Sequence, residues 1–189
     1  FGTSSPITEV AERRDCVSNY DFNRDGLVTV LDLTSSVRTG EPSRGPNRGT
    51  ASLSFDQVSI VEDTYPNYHG YFYPRLINDA QIQGFQFELH GIRVTGVEGG
   101  SAGDNSFGLY FADLTDSLGF SVVLGYGNET HVPAGESDLV RVNFTGVYVS
   151  GPDICFGTDP AFNVVCDENG AFDTNMGECW HPSGGDDDD

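Results

Sequence analysis

The sequence predicts an all-β body preceded by a small EF-hand-like calcium loop and a short helix. Three observations carry this prediction. Glycine (24), phenylalanine (13) and tyrosine (8) are abundant and helix formers are scarce, which suits short strands joined by glycine turns. From Ala51 onward, apolar residues recur with period two. Ahead of that region, residues 21–32 read D-F-N-R-D-G-L-V-T-V-L-D, with oxygen ligands at the spacing a hard cation requires.

At 189 residues the chain supports one domain of ordinary size plus an appendage. Nine basic residues face 29 acidic ones, for a formal net charge of -20, so the chain repels nucleic acid and anionic membrane surfaces. Divalent cations are its natural counterions. The sequence has no run of about 18 apolar residues, so no helical membrane span is predicted. The chain opens at Phe1, which fits either a processed secreted chain or a partial one.

Residues 1–15 form an arm with too few apolar groups to hold itself in place. Ser5 before Pro6 could cap a short helix with Ile7, Val10 and Ala11 on one face; alternatively the arm is extended, as a strand donated to a neighbour would be. Residues 16–38 hold the metal loop and its exiting helix, with Leu31, Leu33 and Val37 on the apolar side. Counting from Asp21, the ligands are Asp21, Asn23, Asp25, the Leu27 carbonyl, Thr29 and Asp32, folded around a turn at Gly26. The ion implied is Ca2+. Residues 39–50, rich in Gly and Pro, read as a linker.

In the body, residues 51–150, Leu53, Phe55, Val58 and Ile60 mark a first strand or pair of strands. Phe85, Phe87 and Leu89 then alternate with Gln86, Glu88 and His90, and a glycine-rich turn, G-G-S-A-G-D, follows. Further strands are predicted over 107–111, 119–125 and 139–149. In the last of these, Val140, Val142 and Phe144 share one face, so Asn143 lies on the solvent face with Arg141 and Thr145. The aromatic run Y-P-N-Y-H-G-Y-F-Y-P, residues 65–74, reads either as an alternating strand with its inner members in the core or as a protein or glycan interface. Residues 151–180 contain three of the four cysteines and a second oxygen-rich patch with Asp167, Asn169 and Asp173, read as an Asx turn in preference to a second ion site. Residues 181–189 are an acidic tail.

Cys16, Cys155, Cys166 and Cys179 have neither zinc-type nor C-x-x-C spacing, and their even number favours two disulfides formed in an oxidising compartment. Sequence alone leaves three connectivities open. Sequons at Asn128 and Asn143 agree with an extracellular glycoprotein carrying covalent N-glycans. The four histidines are dispersed and no hydrolase or metalloprotease motif occurs, so no catalytic residue is assigned.

Two stretches resemble known families. Residues 16–38, with the loop followed by L-D-L-T-S-S-V-R, are similar to the calcium-loop-plus-helix half-repeat of dockerin modules; those carry two repeats and this chain carries one. The segments I-Q-G-F-Q-F-E-L-H-G-I-R-V-T-G, L-G-F-S-V-V-L-G and V-P-A-G-E-S-D-L-V-R-V-N-F-T resemble the core strands of cohesin-like β-sandwiches. That resemblance implies a nine-strand jelly roll and a disulfide between Cys155 and Cys179, which would leave Cys16 to pair with Cys166. Taken together, the loop, sequons and acidic surface resemble the subunits of glycan-coated extracellular filaments of aquatic microbes. The function this implies is that of a secreted structural protein whose partners are copies of itself. The alternatives are a carbohydrate-binding or adhesion module and a cellulosome-like scaffold module.

Overall fold

The computed structural model describes residues 49–62, 67–147, 153–159, 162–167 and 170–181. The arm, the calcium loop with all six of its predicted ligands, Cys16, Asn169 and residues 182–189 of the acidic tail lie outside the described residues. Within them the all-β sandwich expected from the sequence is the observed fold, with twelve strands in two sheets. The strands are β1 (Thr50–Glu62), β2 (Asn67–Asn78), β3 (Gly84–His90), β4 (Arg93–Glu98), β5 (Gly108–Asp113), β6 (Phe120–Tyr126), β7 (Gly135–Asp138), β8 (Arg141–Val147), β9 (Cys155–Phe156), β10 (Val164–Asp167), β11 (Gly170–Ala171) and β12 (Asp173–Met176).

The first sheet runs β12-β1-β2-β8-β4, with β7 beside the second half of β2. The second runs β11-β10-β3-β6-β5, with β9 beside the end of β3. Alternation explains what lies between them. Phe72 and Leu76 of β2 and Val142 and Phe144 of β8 point inward from one sheet; Phe85, Phe87 and Leu89 of β3 and Val123 of β6 meet them from the other, all buried. Each such side chain contributes about 1.5–3 kcal/mol by leaving water. Phe156 ties the layers together, stacking on Phe55 of β1 at 4.3 Å and meeting Phe87 of β3 edge-on at 5.6 Å.

The first strand is a single long element with a bulge. Register shifts between Asp56 and Ser59, and Gln57 sits at φ 49 with its N–H donated to Asp56 Oδ1 at 2.9 Å. The extra residue lets Phe55 and Val58, three apart, both pack against the core. A second shift in β4, between Val94 and Gly96, does the same for Val94 and Val97.

The glycine-rich turn predicted after β4 contains a one-turn helix, α1 (Gly100–Asp104). It forms because Ala102 is buried and donates its N–H to Leu139 O at 2.9 Å, a contact made 37 residues away. A Cβ at Gly100, φ 64, would lie 2.6 Å from the same oxygen.

The C-terminal segment completes both sheets. β10 pairs with β3, while β12 lies parallel to β1 with Thr50 opposite Asp173. Cys155 and Cys179 form a disulfide. Beside it Ile154 and Trp180 exchange backbone hydrogen bonds of 2.9 and 2.8 Å, and His181 Nδ1 lies 2.5 Å from Asp153 Oδ1.

Candidate functional site

Strand alternation also fixes the two outward surfaces. On β2, Tyr68 and Phe72 are buried, whereas Tyr71, Tyr73 and Arg75 point out of the first sheet; Tyr65 lies outside the described residues. Neighbouring β8 adds Arg141, Asn143 and Thr145 to that face. From Asn67 on, the aromatic run is therefore an alternating strand, half core and half surface.

The outer face of the first sheet is polar and charge-paired. The chain contains no lysine, and residues 49–189 hold only three arginines, Arg75, Arg93 and Arg141. All three lie on this face. Arg75 bridges Asp56, at 3.1 Å, and Glu136. Arg93 reaches Asp113 at 3.0 Å and Asp116 at 2.6 Å. Arg141 lies 3.8 Å from Glu98, and its guanidinium sits 4.0 Å over the Tyr71 ring, against which Tyr73 packs edge-on at 6.0 Å.

At the end of this face a groove of about 380 Å³ is lined by Thr50, Ser52, Ile77, Asp79, Asp173 and Asn175. Thr50 donates its backbone N–H and its hydroxyl to the Asp79 carboxylate, each at 2.8 Å, and these bonds hold Asp79 below the usual carboxylate range.

The outer face of the second sheet has a different character. Its members are Tyr110 and Ala112 of β5, Phe120, Val122, Leu124 and Tyr126 of β6, Gln86, Glu88 and His90 of β3, and Val164 and Cys166 of β10. Leu124 and Tyr126 pack on Val164 and Cys166 in a cluster separate from the core between the sheets. Burial, aided by Cys166 and Glu129, raises the Tyr126 phenol above its ordinary value. Tyr110 is 62% exposed, and at the same edge Phe111 and Leu118 are 43% and 61% exposed.

The one carboxylate among these strand positions is sequestered. Glu88 is only 5% exposed; Asn163 Nδ2 donates to its Oε2 at 3.2 Å, and Asn163 Oδ1 accepts the Glu88 N–H at 3.0 Å. Gly157 lies directly over it, since a Cβ there would fall 1.8 Å from Oε2. His90 Nε2 stands 3.9 Å away. The burial of Gln86 and Glu88 was not legible in the alternating sequence, because their cover comes from a segment about 70 residues further on.

The predicted glycan acceptors occupy contrasting places. Asn128 is exposed in the loop after β6, whereas Asn143 is half-buried in β8, paired with β2 on one side and β4 on the other. Cys166 is buried, with its Sγ 3.6 Å from Gly84 O; its pairing with Cys16 falls outside the described residues. Asp167 accepts the Gly170 N–H at 2.9 Å, an Asx-type turn, and Asp173 is exposed on β12. The histidines sit on separate elements: His69 on β2, His90 on β3, His131 in the loop before β7, and His181 by Asp153. Among the described residues no three His, Cys, Asp or Glu side chains gather as a metal site, and no helix is long and apolar enough to cross a membrane.

No protein-family model matches the chain, and no curated protein matches it. Among solved structures it is similar to CaCohA2 from Clostridium acetobutylicum in solution, at 16% identity and TM-score 0.48, over 70% of this chain and 88% of that one. A crystal structure of a CaDoc0917–CaCohA2 complex at pH 5.5 is similar at 11% identity and TM-score 0.44, over 68% of this chain and 94% of that one. So is a non-cellulosomal cohesin from the hyperthermophilic archaeon Archaeoglobus fulgidus, at 12% identity and TM-score 0.44, over 68% of this chain and 85% of that one.

Proposed function

We propose that this chain is a secreted, non-enzymatic structural glycoprotein that binds calcium and assembles head to tail with copies of itself into an extracellular fibril or surface layer. The observation that carries the reading is the aromatic outer face of the second sheet. Residues 49–189 hold 22 acidic residues and three basic ones, yet Tyr110, Phe120, Leu124 and Tyr126 share outward strand positions among which the one carboxylate, Glu88, is covered. An acidic protein keeps such a patch where something is to be bound.

Charge also sets the direction of assembly. Two bodies this acidic repel one another face to face, whereas residues 1–48 carry six of the nine arginines against seven acidic residues. The segment of one copy can therefore approach the body of the next, a heterologous contact that propagates into an open filament unless its rotation closes a ring. In this reading Asp21, Asn23, Asp25, Leu27, Thr29 and Asp32 hold the ion and fix the direction in which the arm leaves the body. Calcium bound only by the folded form would add RT ln(1 + [L]/Kd), about 2.7 kcal/mol at a hundredfold excess over Kd. The disulfide suits an oxidising compartment.

Deleting residues 1–15 tests the reading by light scattering in calcium. The full chain is expected to form large particles and the deleted chain to remain as single subunits. If both scatter alike, the arm has no part in assembly. A carbohydrate-binding or adhesion module using Tyr71 and Tyr73 is the competing reading; a monomer that retains a sugar ligand after the deletion would establish it.

A further inference from the structure

The neighbours of Asn143 differ sharply on its two sides. On β2 its register partner is Tyr71; on β4 it is Gly96, which has no side chain. A Cβ at Gly96 would stand 3.5 Å from Asn143 Nδ2, so the glycine leaves space beside the amide. Tyr71 is one strand spacing away on the same face, about 4.5–5.5 Å between Cβ atoms. Arg141, two residues before Asn143, holds the Tyr71 ring from 4.0 Å.

We propose that Tyr71 is a stacking platform for the first sugar linked to Asn143, which rests on the glycoprotein reading above. A pyranose ring turns polarised C–H bonds toward an aromatic face, and the negative face of the tyrosine quadrupole attracts them. The open side at Gly96 gives the sugar room to leave the amide, and the aromatic side gives it a surface to lie on. The position also dictates when the sugar arrives. In the folded sheet Asn143 Nδ2 donates to Glu98 Oε1 at 3.2 Å, and β8 is paired along both edges. The amide nitrogen must instead attack the anomeric carbon of a lipid-linked sugar diphosphate while the strand is free. It loses one proton as the C–N bond forms, and the lipid diphosphate departs with the electron pair of the broken C–O bond. The exposed Asn128 carries no such restriction.

The test uses the full chain secreted from a host that adds N-acetylglucosamine-cored glycans, trimmed enzymatically to one sugar per site. In the wild type and in Tyr71→Phe, the ring protons of the Asn143-linked sugar are expected upfield of those at Asn128; in Tyr71→Leu they are not. Removing the sequon by Thr145→Ala is expected to lower Tm by about 2–4 °C beside an intact Tyr71 and by less than half as much in the Tyr71→Leu background. A sugar at Asn143 with unshifted protons and equal Tm losses in both backgrounds would overturn the platform while leaving the glycoprotein reading intact. Native material bare at both Asn128 and Asn143 would overturn both.

Discussion

The two sheets present opposite answers to the same problem. Each has one face on the shared core and one turned outward, and both outward faces contain tyrosines. On the first sheet the tyrosines sit among three arginines, each paired with a carboxylate, beside Asn143, the predicted glycan acceptor. On the second they sit among Leu124, Phe120 and Val164, and the one carboxylate at the outward strand positions, Glu88, is folded away under Asn163 and Gly157. In a chain with a formal net charge of -20, keeping charge off one face takes specific residues, whereas a charged face is the default. On the proposed reading the second sheet meets a partner and the first meets water or sugar.

The contrast depends most on the cover over Glu88. Asn163→Leu removes its donor and leaves the buried carboxylate with His90 Nε2, 3.9 Å away, in place of a hydrogen bond, at a cost of about 2–3 kcal/mol in urea unfolding. A loss under about 1 kcal/mol would mean that Glu88 already reaches water and that the second face is charged after all. The arginine pairs of the first sheet should matter far less. Arg75→Ala breaks two exposed ion pairs and is expected to cost no more than about 1 kcal/mol and to leave assembly unchanged. Loss of assembly in that variant would move the interface to the first sheet. The smallest effect is at Asp79. Its folded pKa is depressed by the Thr50 hydrogen bonds, so its contribution is present above the ordinary carboxylate range and is lost as pH falls through the lower folded value. Asp79→Asn should therefore lower Tm slightly at pH 7, and the difference from wild type should shrink as pH falls below the ordinary carboxylate value of about 3.9 and vanish only below the lower folded value. A difference that persists in acid would assign the effect to packing.

Much of this was legible in the sequence where the signal is local. Phe85, Phe87 and Leu89 announce β3, whereas the three-residue step from Phe55 to Val58 left one strand or two open until the bulge in β1 joined them. The outward direction of Asn143 follows from alternation along its own strand. Properties set by distant chain were not legible. Helix α1 is five residues with two glycines, and it exists because the Leu139 carbonyl receives it. The opposition of Tyr71 to Asn143 is a matter of register between strands 72 residues apart. The burial of Gln86 and Glu88, which read as solvent-facing positions, is imposed by residues beyond β9.

Sedimentation velocity of the full chain in calcium, comparing wild type with Tyr110→Glu/Leu124→Glu, tests most directly whether the outer face of the second sheet joins one copy to the next. The wild type is expected to sediment as large assemblies, and the double variant as a single folded subunit with an unchanged far-ultraviolet spectrum. A double variant that assembles like the wild type, or a wild type that stays a single subunit at every concentration, would contradict it.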